Sequence, residues 1–316
     1  MFIRLVNERR PGGALQAPPG FGRKDPPMTL EGNIYRPPSE AMSYIVQCTV
    51  GCSHNACTFC GMFKDKKFRM KDMPEIRADI EEAGRRYPQV REVFLADGDA
   101  IAMPTEDLLA IMGLLKESFP KLESVATYAG PRSTLKKTPE ELRFLHEAGL
   151  TKAYLGVESG DGKVLRDTCK GVDAAQMEQA GKNLVEAGIE LCAIVLIGLA
   201  GEERSLENAR ATAHIINSIR PSELAAMNYT PVPGTRMYRQ IQDGRFHPLN
   251  DREALKETRE LVSGLRVDNL RFTSNHVSNP VSASCVLPRD KEVLVAALDE
   301  AIGHTPEGSV RDRRYL

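Results

Sequence analysis

The chain has 316 residues, is 41% hydrophobic and 27% charged, and carries a formal net charge of −1, the profile of one or two globular domains with a sizeable core. That balance offers no basic field for a phosphate backbone, and with no Trp and 6% aromatics there is little surface for base stacking. The longest apolar run, 192–200, is too short for a bilayer span of about 20 residues, and MFIRLVNERRPGG lacks the apolar segment of a secretory signal, so a cytoplasmic protein is expected.

Residues 1–40 (RRPGGALQAPPGFGRKDPP, then YRPPSE) show no apolar period and are expected to form an irregular N-terminal arm. From Met42 onward, short apolar runs alternate with amphipathic patterns. Strands are expected at 43–47, 92–96, 124–128, 152–157, 191–198 and 224–229. The segments PEIRADIEEAGRRY, TEDLLAIMGLLKESF, PEELRFLHEAG, AQMEQAGKNLVEAG and SLENARATAHIINSI read as the helices between them. Glu-Ala-Gly recurs at 82–84, 147–149 and 186–188. Gly149 and Gly188, each just before a strand, are expected to stop helices in the left-handed conformation.

Apolar strands alternating with helices indicate a parallel α/β fold. Six such units over 41–245 fit an open partial barrel or a doubly wound sheet, and periodicity does not choose. After Pro231-Val232-Pro233-Gly234 the rhythm breaks into REALKETRELVSGL, a polar stretch RFTSNHVSNPVSASCVLPRDKE, and EVLVAALDEAIG. Residues 246–316 are therefore expected to be an α-rich C-terminal extension covering the mouth of the body.

Seven cysteines, an odd number, argue against a disulfide framework. Four of them crowd into Cys48-TVG-Cys52-SHNA-Cys57-TF-Cys60, directly after the first strand. A structural zinc site needs four closed ligands; four cysteines and His54 are available, but only one C-x-x-C arm. A cluster held by three thiolates would leave one iron open, and the C-terminal end of a barrel strand suits a reactive group. Spacing alone leaves both readings standing.

At this point the sequence resembles the radical AdoMet (radical SAM) superfamily, over about residues 36–287. Members carry three cysteines just after the first barrel strand, often with an aromatic residue before the last, as in Phe59-Cys60. The usual C-x3-C-x2-C spacing is replaced by Cys52-x4-Cys57-x2-Cys60, with Cys48 as an alternative first ligand. The resemblance implies that Cys52, Cys57 and Cys60 are the metal ligands and that Cys48 is a small core residue.

The resemblance extends to the later strand ends. Asp97-Gly98-Asp99 stands where the family's Gly-Gly-Glu binds the methionine amino group, although an ordinary Asp-Gly turn is the alternative. Arg132, after the third strand, is either a bidentate clamp for the AdoMet carboxylate or a solvated surface residue. The string GVESGD…VL…KG, with Glu158 and Ser159, resembles the signature shared by tRNA methylthiotransferases, the elongator catalytic subunit and oxygen-independent coproporphyrinogen oxidase, where it lies by the AdoMet ribose. Ile194-x-Leu196-x-Gly198-x-x-x-Glu202 resembles the segment lining the adenine pocket, and the Tyr229 strand end with its Pro-Gly-Thr is also similar to the family.

The resemblance implies a partial (β/α)6 TIM-like barrel, a 4Fe–4S cluster, S-adenosyl-L-methionine as cofactor, oxygen sensitivity, and a low-potential electron donor such as flavodoxin or ferredoxin. It implies reductive cleavage of AdoMet to a 5′-deoxyadenosyl radical, which abstracts hydrogen from a substrate. His276 and Cys285 are candidate catalytic residues, against the plainer readings of a structural His and an inert core Cys. The four other cysteines are not spaced for a second cluster. With no cobalamin or RNA-binding module expected, a small-molecule or carrier-bound substrate fits better than nucleic acid. The alternatives are an RNA-modifying methyl or methylthio transferase of the same superfamily, or a non-catalytic zinc or dithiol protein.

Overall fold

A computed structural model describes the backbone of residues 2–5 and all of residues 30–310; residues 6–29 of the expected N-terminal arm lie outside the described residues. In chain order the elements are β1 (Phe2–Leu5), β2 (Tyr44–Gln47), β3 (Thr49–Val50), β4 (Arg69–Met70), α1 (Met73–Arg86), β5 (Glu92–Ala96), α2 (Thr105–Ser118), β6 (Ser124–Tyr128) and α3 (Pro131–Thr134). They continue with α4 (Pro139–Glu147), β7 (Leu150–Glu158), α5 (Gly162–Asp167), α6 (Ala174–Glu186), β8 (Glu190–Ile197), α7 (Ser205–Ile219) and β9 (Glu223–Asn228). The last are α8 (Arg236–Gln242), α9 (Asp251–Gly264), β10 (Leu270–Thr273), β11 (Val281–Leu287) and α10 (Lys291–His304). Among the described residues, no helix is long and apolar enough to cross a membrane.

All six expected strands form, and they lie side by side in chain order. The main sheet runs β1-β11-β10-β9-β8-β7-β6-β5-β2, parallel from β2 through β10, and among the described residues its end strands β1 and β2 do not pair. This is the partial barrel, chosen over the doubly wound sheet because each new strand adds on the same side of the last. Gly149 and Gly188 take φ of +116° and +86°, and both follow helices, as their positions before strands predicted. Capping boxes at Thr138/Glu141, Asp173/Gln176 and Asn250/Glu253 start α4, α6 and α9 by satisfying backbone donors that have no partner within the helix.

Strand alternation divides the core in two. Val46, Leu95, Leu155 and Val195 bury against the helices in one continuous cluster, while Phe94, Tyr154 and Cys192 face the barrel interior with Ile34, Tyr128 and Ile194. The segment before β2 enters that interior. Ile34 packs among the aromatic side chains, and the Tyr154 hydroxyl donates to Glu40.

The C-terminal extension contributes more than helices. β10 joins the barrel as a seventh parallel strand, and β11 turns back antiparallel to it. Phe2–Leu5, inside the segment expected to be irregular, pairs antiparallel with β11. The alternation in Val-Ser-Ala-Ser-Cys-Val-Leu buries Val281, Ala283, Cys285 and Leu287 on one face, a period-two signal that the surrounding polar residues obscure. α9 packs on α7, and α10 packs on α9 and against β11, in the outer helix layer.

The end of β7 meets α7 backbone to backbone. A β-carbon on Gly160 would stand 2.2 Å from the Ala211 carbonyl oxygen, and the Gly160 amide donates to Thr212 Oγ1 at 2.9 Å. Gly160→Ala is therefore expected to lower the unfolding free energy by about 3 kcal/mol through overpacking. Denaturant titration checks this, and an unchanged midpoint would contradict the close approach.

Candidate functional site

The strand parity that builds the core also sorts the four clustered cysteines. Cys48 follows β2 on the side of Tyr44 and Val46; it is 0% exposed and belongs to the helix-facing core. Burial pushes its thiol up to about 12. Cys52, Cys57 and Cys60 are free, half-buried thiols on the following loop, and Cys57 and Cys60 border an interior cluster of Phe59, Val164, Leu199, Tyr229 and Met237. Burial raises Cys57 to about 11 and raises Cys60 as well; Cys57 feels both other loop thiols, and Cys60 feels Cys52. Among the described residues, no three Cys, His, Asp or Glu side chains converge as the shell of a single ion.

The loop accommodates its extra residue at Asn55, which adopts φ +38°. The Asn55 amide donates to the Phe63 carbonyl at 2.6 Å, the local side-chain bonding that lets Asn tolerate a left-handed backbone. His54 Nε2 donates to the Cys169 carbonyl at 2.7 Å, which leaves Nδ1 to accept from Arg132 Nη1 at 3.1 Å. Arg132 is exposed and held on His54, so it sits on the rim rather than at depth.

Two buried carboxylates hold the loop to the neighbouring strand ends. Asp99, 1% exposed, accepts from Ser53 of the loop, from Ser133 Oγ at 2.6 Å and from the Gly130 amide at 2.8 Å. Asp97 Oδ2 accepts from the Gly51 amide at 3.0 Å and pairs with Lys66 at 2.7 Å, while its buried Oδ1 has no hydrogen-bond partner. Burial raises both carboxyl pKa values against these donors. Between them Gly98 has no room for a side chain: a β-carbon there would lie 2.6 Å from the Phe63 ring and 3.0 Å from Cys52 Cβ.

At the end of β7, Glu158 takes φ +62° and its carboxylate receives Lys170 Nζ at 2.9 Å. Both side chains are nearly buried. Burial opposes the Lys170 charge, but Glu158 and Cys57 outweigh it and its pKa is raised. Lys170 is the buried cation beside the thiols; the sequence contains it in its Lys-Gly pair but attaches no role to it. Ser159 donates to Asn208 Oδ1 at 2.5 Å.

Ile194 and Leu196 are half-buried and border the two interior clusters. Gly198 has φ +84°, and its amide donates to Glu257 at 3.2 Å. Glu202 is exposed, so the acid ending the adenine-like segment turns away and Glu257 of α9, absent from any motif, occupies the buried position. Tyr229 is buried and meets Phe246 edge-on at 6.2 Å.

Cys285 lies in the helix-facing core, not with the loop thiols, and burial raises it to about 11. The structure thus does not bring it to the site. His276 Nδ1 accepts from the Ser278 amide at 3.2 Å, and burial lowers its pKa. The loop it belongs to ties the end of β9, since Asn279 Oδ1 accepts from the Asn228 amide at 2.8 Å.

Comparison with known proteins bears on the fold and the family. The chain is 30% identical over 172 residues to the uncharacterised protein y4hJ of Sinorhizobium fredii, covering 54% of this chain and 64% of that protein. Among solved structures, coproporphyrinogen III oxidase from Escherichia coli, described as a radical SAM enzyme, superposes with a TM-score of 0.54 at 19% identity, covering 70% of this chain and 51% of that one. The radical S-adenosylmethionine methyltransferase TsrM from Kitasatospora setae gives 0.54 at 16% identity, covering 81% and 52%. Elp3 from Methanocaldococcus infernus gives 0.50 at 16%, covering 82% and 63%. The chain thus spans less than two thirds of each of these relatives, and the structural likeness concerns the fold. The radical SAM superfamily model matches residues 46–211, more than half of the chain, running from β2 into α7 and taking in the thiol loop, so this chain belongs to the radical SAM superfamily.

Proposed function

We propose that the protein is a radical AdoMet enzyme that cleaves S-adenosylmethionine reductively at a 4Fe–4S cluster held by Cys52, Cys57 and Cys60, and then abstracts hydrogen from a small-molecule or carrier-bound substrate. The observation that carries the reading is the placement of three half-buried thiols on one loop at the C-terminal edge of the barrel, with Cys48 diverted into the core. Their chemistry suits a cluster. Burial favours the neutral thiols, and a metal centre is what holds such a group as thiolate. A cluster also spreads its ligands over separate irons, unlike the shell of one ion. When bound, the cluster supplies the electron that splits the sulfonium–C5′ bond of AdoMet to methionine and a 5′-deoxyadenosyl radical.

The chain's own residues bind, orient and exclude water. Lys170 is the cation placed to pair with the methionine carboxylate, since it is buried beside the thiols while Arg132 stands exposed on His54. The unpaired Asp97 Oδ1 is an acceptor available to an ammonium group. Glu158 serves the ribose side, and Ile194, Leu196 and Tyr229 give the apolar walls. A carboxylate accepts paired hydroxyls well. The weak net charge favours a small or carrier-bound substrate over nucleic acid, and a flavodoxin-like or ferredoxin-like protein is the expected electron donor.

Anaerobic reconstitution with iron and sulfide, followed by AdoMet and a strong reductant, tests the reading. 5′-Deoxyadenosine is expected from the wild type and not from Cys60→Ala; a fully loaded wild type that forms none under any reductant would count against it. Cys52→Ala, Cys57→Ala and Cys60→Ala are each expected to lose the cluster, whereas Cys48→Ala keeps wild-type iron and sulfide; the opposite pattern for Cys48 and Cys52 would overturn the ligand set. For the carboxylate, the Lys170→Met/Glu158→Gln double variant, which leaves no unpaired buried charge, is expected to weaken AdoMet binding at least tenfold, about 1.4 kcal/mol. Arg132→Ala is expected to stay within about twofold on the same scale, and calorimetric titration separates the two.

A further inference from the structure

The ends of β7 and β8 converge on one buried carboxylate that no motif marks. Glu257 of α9 is 0% exposed. Its Oε1 accepts from the Gly198 amide at 3.2 Å and from Asn208 Nδ2 at 2.9 Å, and its Oε2 accepts from Ser205 Oγ at 2.6 Å. Asn208 is thereby oriented so that its Oδ1 accepts from Ser159 Oγ at 2.5 Å, and the same Ser159 oxygen accepts from the Asp161 amide at 2.9 Å. A continuous chain of hydrogen bonds therefore runs from the turn after Glu158, through the first turns of α7, to the left-handed Gly198 that ends β8.

The arrangement is costly for the fold. An ionised carboxylate with only neutral partners in a dry interior loses hydration that no counter-ion restores, and burial pushes Glu257 up to about 7. Its position near the N-terminal turn of α7, where Ser205 is the first residue, offsets part of that cost through the helix dipole. Apolar residues would fill the same space at less expense, so the carboxylate is explained by what it holds. Glu158, Leu196, Asn208 and Glu257 border one packing gap too narrow to hold a water, so the network adjoins two of the residues proposed for the ribose and adenine walls.

We infer that Glu257 is a positioning residue that fixes the β7 and β8 strand ends in register, and so sets the shape of the pocket for the AdoMet nucleoside; this rests on the proposed function above. The carboxylate touches neither the cofactor nor the reacting atoms and acts through Ser159 and Gly198.

The test uses the anaerobically reconstituted full chain and reads AdoMet affinity by calorimetry beside iron and sulfide content. Glu257→Leu is expected to raise the AdoMet Kd at least tenfold while cluster content stays at the wild-type level. Glu257→Gln keeps an acceptor for Gly198 and Asn208 and can donate to Ser205 once that hydroxyl turns, so it is expected to stay within threefold. Ser159→Ala, which cuts the network at its far end and leaves the bonds of Glu257 intact, is expected to weaken binding in the same direction and non-additively with Glu257→Leu. Should Glu257→Leu fail to fold, Ser159→Ala decides, and wild-type affinity there overturns the inference. Loss of iron in step with affinity, or failure of Gln to rescue, assigns the carboxylate a purely structural role and also overturns it. A wild type that holds the cluster and binds no AdoMet overturns the functional reading itself, and this inference with it.

Discussion

Everything at the C-terminal edge of this barrel depends on tying an irregular, thiol-bearing loop to strand ends that are rigid. Asp99 is the tie. A carboxylate can accept several hydrogen bonds at once, and here one group joins Ser53 of the loop to Gly130 and Ser133 after β6. The cost of burying it is met by three donors of good geometry, which is the condition under which a buried carboxylate becomes a structural asset. The rest of the loop is held by Asp97 on the Gly51 amide, by His54 on the Cys169 carbonyl, and by backbone contacts such as the Thr58 amide on the Thr168 carbonyl and the Met237 amide on the Thr58 carbonyl.

The tie works only because backbones approach closely around it. Gly98 leaves space for the Phe63 ring and Cys52, and Gly171, with φ +84°, lies against the His54 ring. A side chain at either place would push the loop off its anchors. His54 then completes the frame from the opposite side by linking the loop to Cys169 and the rim arginine. Hydrogen bonds from β5, β6 and β7 ends and close glycine contacts thus fix a segment that has almost no regular structure of its own.

Much of this was legible in the sequence. All six strands, the main helices and the two glycine stops follow from periodicity and punctuation, because each strand satisfies a local rule. The family resemblance set Cys48 apart from its three neighbours, and the structure buries it in the helix-facing core beside Tyr44 and Val46. What could not be read were relations between distant segments. Nothing local to Arg132 says that its guanidinium lies on the surface with His54, and nothing local to Lys170 says that its ammonium is buried against Glu158. Glu202 stands at the spacing of a family acid and is exposed, while Glu257, some fifty residues later on α9, takes the buried place because α9 packs on α7. The final β-hairpin was hidden for a different reason: its serines and threonines look like a loop unless the alternate positions are read separately.

The charges gathered at the strand ends show what this edge of the barrel is suited to receive. Asp97 and Glu158 are each balanced by a lysine, Lys66 and Lys170. Asp99 and Glu257 are satisfied only by neutral donors, so when ionised they leave the interior with excess negative charge. Such a field opposes another anion and favours a ligand bearing positive charge. The cofactor of this superfamily carries a sulfonium and an ammonium against one carboxylate, and under the proposed function that carboxylate would share Lys170 with Glu158. One contact remains outside this balance: exposed Arg132 on the rim bonds to the His54 ring and contributes no charge at depth. The buried carboxylates and lysines thus add an electrostatic preference for a net-cationic ligand to an edge of the barrel that the three thiols already mark.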